Sequence, residues 1–340
     1  MTSLTRICTL GGWTGQATIL KALSTLSNAH ITGIVATTDN GWSSAVIREA
    51  LNIPSPGDVR NCLNHLSSDQ DVFAKLLMYR FSEGDLKGVH MGNMIIGALT
   101  RILWSYTKAI ERLHTQLHID QTILPVSEVS TQICAELTTG QIVRGERQII
   151  KRQNPAKIAR YFLNDVAVAQ PLVLQALQEA DIIVICPGVL GTAIISTLLH
   201  QGIAEVLHRT TGKLLYFCNI MTYPSQTDGY TVSDHVHLLE EYTKRRVDIV
   251  YANTALPPTP LLEQYATYWS EPVVLDRATL SWYTVIEDAF LMDYTAPHHS
   301  HELQRAAGSQ QNVWLHVIRH DIQKVVTHIN NLVTTLHTNG

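Results

Sequence analysis

Six short apolar runs constrain the fold more than any other feature. They are "RICTL" (6–10), "ITGIVAT" (31–37), "ILPVS" (123–127), "DIIVIC" (181–186), "LLYFCN" (214–219) and "VDIVYAN" (247–253), and stretches with helical spacing separate them. Such alternation predicts an α/β fold with a mostly parallel sheet. Several runs are hydrophobic on both faces, which is expected of strands covered by helices on both sides. No internal repeat, low-complexity tract or linker divides the chain, so residues 1–340 read as one domain.

Residues 92–118 carry apolar positions at helical spacing without proline, which predicts one long helix. The segment 131–150 reads instead as two strands joined at "TTGQ", a hairpin inserted near 129–151. Near the C-terminus, 320–336 reads as an amphipathic helix with Ile322, Val325, Val326, Ile329, Leu332 and Val333 on its apolar face. The run 180–199 is apolar over almost its whole length, but Asp181 opens it and Pro187-Gly188 breaks it. A buried strand, a turn and a helix account for it better than a membrane span.

Composition narrows the function. A formal net charge of -4 with 16% charged residues offers no basic face for nucleic acid. The five cysteines, Cys8, Cys62, Cys134, Cys186 and Cys218, are scattered singly and read as reduced thiols of a cytoplasmic protein. The N-terminus turns at Gly11 and Gly12 before a signal-peptide hydrophobic region could form.

Polar loops follow the predicted strands, and in open α/β sheets ligands sit at the carboxyl ends of strands. "GGWTGQ" (11–16) follows the first, where glycines let backbone N–H groups approach an anion and a helix offers its positive end. A plain tight turn is the alternative. "TTDNGWSSAVIREALNIPSPGDVRNCL" (37–63) follows the second. It brings Asp39 as metal ligand or base, the Ser43 and Ser44 hydroxyls for phosphate or sugar oxygens, and Arg60 as an anion clamp. The alternative is that Asp39 ends a strand, Asp58 caps a helix beginning near Val59, and Arg60 is solvated. "PGVLGTA" (187–193) is another glycine turn into a helix, and "NIMTYPSQTDGYTVSDHV" (219–236) places Asn219, Thr222, Thr227 and Asp228 after the next strand. Four such loops on one sheet edge would share a cleft. Among the histidines, "PHHSH" (297–301) has metal-like density, but it lacks a carboxylate or cysteine at ligand spacing and reads as a turn and helix cap.

Taken in order, "GGWTGQATILKAL", "TTDNGWSSAVIREAL", "PSPGDVRNCLNHL", "GVHMGNMIIGAL", "GQIVRGERQI", "ADIIVICPGVLGTAI", "NIMTYPSQTDGY", "SDHV" and "RHDIQK" resemble the family that unites YvcK-type gluconeogenesis factors with CofD, a 2-phospho-L-lactate transferase. The resemblance runs from about residue 6 to about residue 325. It implies a Rossmann-like fold whose cleft takes a nucleotide-linked small molecule: UDP-sugars on the YvcK side, a deazaflavin and a guanosine diphosphate conjugate on the CofD side. Carried over position by position, it implies binding by Gly11, Gly12, Thr14 and Gly15, by Ser43 and Ser44, by Gly57 and Asn61, and by Asn93. Pro187, Gly188, Thr192, Asn219, Thr222 and Thr227 complete that set. Asp39, Asp58 and Arg60 are the catalytic candidates of an enzyme reading, with Asp39 the candidate ligand of magnesium.

The pattern departs from the family at several places. Trp13 stands where the family has glycine, and Asn40, Gly41 and Trp42 replace a second aspartate and two glycines. Val89 replaces a histidine, which is displaced to His90. With Asn40 neutral, half the local charge for a divalent cation is lost. UGA codons read as glycine in the source organism and translated as tryptophan would account for Trp13 and Trp42. The "PSPGDVRNCL" piece and the serine pair place the chain on the YvcK side. The expectation is a cytoplasmic UDP-sugar binder of central carbon metabolism and cell-shape control, without a membrane span and compatible with a homo-oligomer. A CofD-like transferase and a degenerate scaffold that binds no nucleotide are the alternatives.

Overall fold

In the computed structural model, residues 4–68, 70–152, 155–294 and 317–338 are described. Among them ten strands form: β1 (Thr5–Gly11), β2 (Ala29–Val35), β3 (Thr122–Pro125), β4 (Ile133–Leu137), β5 (Ile142–Arg144), β6 (Ile158–Leu163), β7 (Ile182–Ile185), β8 (Lys213–Phe217), β9 (Ile249–Asn253) and β10 (Thr284–Asp288). Each of the six apolar runs supplies one strand of a seven-stranded sheet ordered β10-β9-β8-β7-β1-β2-β3. Every pairing in it is parallel. The seventh strand, β10, was not anticipated; its "TVIED" is half exposed at the sheet edge and lacks a continuous apolar run.

Strand residues alternate between two cores, as the two-residue side-chain period requires. Cys8, Leu10, Ile183 and Ile185 enter one core, and Ile7, Ile182 and Val184 enter the other. Seven helices bear on the site: α1 (Trp13–Leu23), α2 (Trp42–Leu51), α3 (Gly57–Leu66), α4 (Val72–Met78), α5 (Met91–Leu103), α6 (Tyr106–Leu117) and α7 (Glu146–Ile150). The C-terminal helix Ile322–Thr338 packs against α1 and buries Val325, Ile329 and Val333, half of its predicted apolar face. No helix of the described residues is long and apolar enough to cross a membrane.

Two expectations are corrected. The long helix over 92–118 is broken: α5 ends at Leu103, Trp104 is left-handed at φ 53°, and the Ser105 hydroxyl caps α6 by accepting from the Lys108 N–H at 3.2 Å. The inserted hairpin gains a third strand, forming an antiparallel sheet β5-β4-β6. Its β5 stops at Arg144, and α7 replaces the predicted strand continuation to residue 150. The "PHHSH" run lies outside the described residues.

The sheet grows from β1 outward to β3 on one side and from β7 to β10 on the other, so the order reverses between β1 and β7. Ligand crevices of open α/β sheets form at the carboxyl ends of strands at such a point.

Candidate functional site

At that switch point β1 ends in Gly11, and Gly12 opens α1. The turn is pressed from two sides. A Cβ on Gly15 would run into the Pro187 carbonyl, and one on Gly12 would strike the Asp58 carboxylate. These glycines let the loops after β1 and β7 and the start of α3 meet. The N–H of Trp13 donates to Asp58. Asp58 sits in the first turn of α3 but satisfies the N-terminus of α1, a different helix from the one its sequence neighbours suggest.

The loop after β2 supplies the next wall. Asp39 accepts from the Gly41 N–H at 2.8 Å and the Ser55 hydroxyl at 3.4 Å. Asn40 is tied into the frame on both sides: its N–H donates to Glu146 Oε2 at 2.9 Å, and its side-chain oxygen accepts from Arg48 at 3.1 Å. Ser43 and Ser44 begin α2. The Ser43 hydroxyl accepts from the His90 N–H at 2.8 Å and the Asn93 amide at 3.0 Å, and that amide reaches Ser44 at 3.5 Å.

Arg60 is only 6% exposed. Its two terminal nitrogens donate to Asn93 Oδ1 and Asn61 Oδ1, both at 3.1 Å, while its Nε finds no partner among the described residues. Burial lowers its pKa to about 10; Asp39 opposes this, and Arg80 adds to it. Arg80 donates to His90 Nε2 at 2.7 Å. Burial, Arg60 and Arg80 push His90 down to about 4, leaving a neutral imidazole that accepts.

Three carboxyl groups face this basic pair. Burial and then the Asp39 charge raise both Asp58 and Glu146 well above the ordinary carboxylate range. Glu146, 2% exposed in the first turn of α7, accepts from Trp13 Nε1 at 3.1 Å as well as from Asn40. Together with Arg147 and Lys151 these residues wall a polar half-cleft of about 1260 Å³, solvent included.

On the other side of Trp13 lies an apolar half of about 780 Å³, lined by Thr18, Met221, Tyr223, Tyr265, Ile318 and His320 among others. Trp13, Thr14 and Tyr223 line both halves. Trp13 meets Tyr223 edge to face at 6.2 Å between ring centroids, so the indole stands as a partition.

The sequence-predicted residues divide accordingly. Thr14, Asp39, Ser43, Ser44, Gly57, Asp58, Arg60 and Asn61 line the polar half. Thr14, Gly15, Pro187, Gly188, Asn219 and Thr222 line the apolar half. Asn219 bridges loops, accepting from the Gly188 N–H at 3.0 Å and donating to the Gly188 carbonyl at 2.7 Å. Gly11, Gly12 and Asn93 stand behind the lining and shape it. Thr192 and Thr227 are not on either wall: Thr192 pairs with Gln226, and the Thr227 hydroxyl accepts from the Tyr223 N–H at 2.7 Å.

Sequence reasoning did not single out Glu146, Arg80 or Tyr223. Glu146 lies within the quoted "VRGERQI", where Gly145 at φ 87° turns the chain into the cleft. A carboxylate placed directly after such a turn is the signal that was available.

Among the described residues, no group of three or more His, Cys, Asp and Glu side chains is placed to hold a metal ion. Asp39 and Asp58 are hard oxygen donors, and a cation there would offset their mutual repulsion, so the donor chemistry suits magnesium completed by phosphate oxygens and water.

Residues 7–291 match the family 2-phospho-L-lactate transferase CofD. A putative gluconeogenesis factor of Thermotoga maritima is 41% identical over 292 residues, covering 86% of this chain and 92% of that protein. The gluconeogenesis factor of Bacillus subtilis is 34% identical over 274 residues, covering 80% of this chain and 86% of that one. The crystal structure of a UPF0052-family protein from Bacillus halodurans superposes with a TM-score of 0.86 at 32% identity, over 96% of this chain and 98% of that one. The chain therefore belongs to the YvcK/CofD-like family and shares its Rossmann-like α/β fold.

Proposed function

We propose that this chain binds a nucleotide-linked sugar diphosphate of the UDP-sugar kind in the cleft between β1 and β7. It acts as a cytoplasmic sensor that also bears on cell shape, and its place in central carbon metabolism accords with the gluconeogenesis-factor name of its relatives. One observation carries the reading. Arg60 is buried in the cleft wall against two amide oxygens, and among the described residues it makes no ion pair and leaves Nε–H without a partner. Asp39 and Asp58 act on this guanidinium without pairing with it directly, so it keeps donor capacity and charge that a diphosphate can use. The start of α1 adds its positive end.

Binding is favoured over group transfer by Asn40. Its backbone and side chain are both engaged by the frame, and it brings no charge for a cation. Magnesium, when bound beside Asp39 and Asp58, would neutralise phosphate charge. Asp39 and Asp58 would hold it, Arg60 would steady the diphosphate, and Glu146, pushed toward its neutral form by burial and Asp39, would go on accepting from Trp13 and Asn40. The apolar half, with Tyr223 and Tyr265, suits the flat ring of a base.

The test is thermal stability with UDP-sugars, UDP, GDP and a deazaflavin, each with chelator or with magnesium. At one hundred times Kd a ligand that binds only the folded state stabilises by about 2.7 kcal/mol. A shift with UDP-sugar under chelator, with the sugar recovered intact, is the expected result. A shift that needs magnesium and deazaflavin together, followed by a new product, would replace the sensor with a transferase. No shift with any of them would favour the scaffold.

A further inference from the structure

Five of the six tryptophans are among the described residues, and three of them lie almost entirely open to solvent. Trp104 is 86% exposed, and Trp269 and Trp282 are 84% exposed, although the indole is a large apolar group that is highly buried on average. Trp13, Trp104 and Trp269 have φ of 57°, 53° and 61°. A bulky side chain in the left-handed region is an outlier; of the other residues there, Asn52 and His118 are of types enriched in it, and Ser225 and Lys244 have unbranched, non-aromatic side chains.

The local geometry identifies the residue each site is built for. After the helix Thr259–Ala266, the Ser270 N–H donates to the Tyr265 carbonyl at 3.1 Å and the Trp269 N–H to the Ala266 carbonyl at 3.0 Å. This is the paired bonding of a Schellman stop, in which the left-handed residue, here Trp269, is usually glycine. Trp104 occupies the left-handed stop of α5. Trp13 follows Gly12 at the ligand turn. Composition agrees: 6 tryptophans exceed the 5 phenylalanines, and 19 glycines in 340 residues fall short of the ordinary share, which is about 7%.

We propose that glycine stands at positions 13, 104 and 269 in the protein as its own cells make it, the codons there being UGA read as glycine, and that Trp42 and Trp282 have the same origin. Trp42 joins the set because its large apolar ring is 48% exposed at the mouth of the polar half. The consequence for the cleft rests on the nucleotide reading above. Without the indole between Glu146 and Tyr223, the polar and apolar halves become one groove, and a diphosphate can cross it over the glycine turn.

The identity of the residues is tested without any ligand, by sequencing the gene and measuring peptide masses of the protein isolated from its source cells. UGA codons and glycine masses at 13, 104 and 269 are expected; UGG codons or tryptophan masses would overturn the proposal. Stability of recombinant protein gives a second reading at sites remote from the cleft. Trp104→Gly and Trp269→Gly should each raise the melting temperature, by about 2 °C, and a fall at both would contradict a backbone built for glycine. Trp13→Gly should tighten UDP-sugar binding at least about tenfold. Glycine masses with no nucleotide binding would retire the nucleotide reading and leave this inference standing. Tryptophan masses with UDP-sugar binding would do the reverse.

Discussion

On one side of Trp13 the cleft is walled by Asp58, Glu146, Arg60 and Arg80; on the other by Met221, Tyr223, Tyr265 and Ile318. The apolar wall is largely self-sufficient. The Tyr265 hydroxyl accepts from the Ile318 N–H at 2.9 Å, and His320 meets the Cys218 carbonyl at 3.1 Å. The polar wall instead holds two carboxyls that burial drives toward the protonated form, and a guanidinium with no carboxylate partner among the described residues. Buried ionisable groups arranged this way cost folding free energy and are concentrated at functional sites. In the proposed nucleotide reading, the polar half would take the charge and the apolar half the ring.

Arg60→Ala should break the contrast most severely, weakening UDP-sugar binding by roughly a few hundredfold, in line with loss of a buried charged hydrogen-bond donor. Titration calorimetry reads it, and an unchanged affinity would remove Arg60 from the site.

His320 in the apolar half and Asp58 in the polar half should respond oppositely to pH. His320, held down to about 4 by burial, stays neutral in the folded protein while the unfolded chain takes up a proton below its ordinary value. Its contribution to stability is therefore lost as pH falls from about 6.5 toward 4, on the order of 3 kcal/mol over the full window. Asp58 has the reverse sign, because its folded pKa is raised: its contribution is present at acid pH and lost as pH rises through the folded value. Relative to wild type, His320→Gln should lose less stability on acidification, and Asp58→Asn should lose less as pH rises. Denaturant midpoints from pH 4 to 8 check both, and difference curves of the same sign would contradict the assignment.

A smaller effect belongs to Tyr223, which lines both halves. Tyr223→Ala should weaken binding by about tenfold, the scale of one aromatic contact, with the loss shared by UDP-sugar and UDP. A loss confined to the sugar nucleotide would move the sugar to that side.

How much of this was legible follows the range of the interactions. Strands β1, β2, β3, β7, β8 and β9 announced themselves because both faces are buried and the apolar runs are continuous. The edge strand β10 and the third strand β6 did not, since each is partly exposed and lacks such a run. The break between α5 and α6 was hidden because Trp104 continues a helical pattern that a glycine would have interrupted. Asp39, Ser43, Asp58 and Arg60 were readable from their place after β2. Glu146 was not, because its partner Asn40 lies 106 residues away and spacing carries no such contact. Thr192 and Thr227 misled for a general reason. Buried hydroxyls after strands must find partners, and loops use them to fasten one another as readily as to hold a ligand.

The binding predictions above rest on the proposal that the cleft takes a sugar nucleotide across the glycine turn, with Trp13 as the obstruction. The most direct test is titration calorimetry of UDP-sugar under chelator against wild type and Trp13→Gly, with the nucleotide analysed afterwards. One saturable site is expected, at least about tenfold tighter in Trp13→Gly, with unaltered UDP-sugar at the end. No binding by Trp13→Gly, or tighter binding by the tryptophan form, would contradict it.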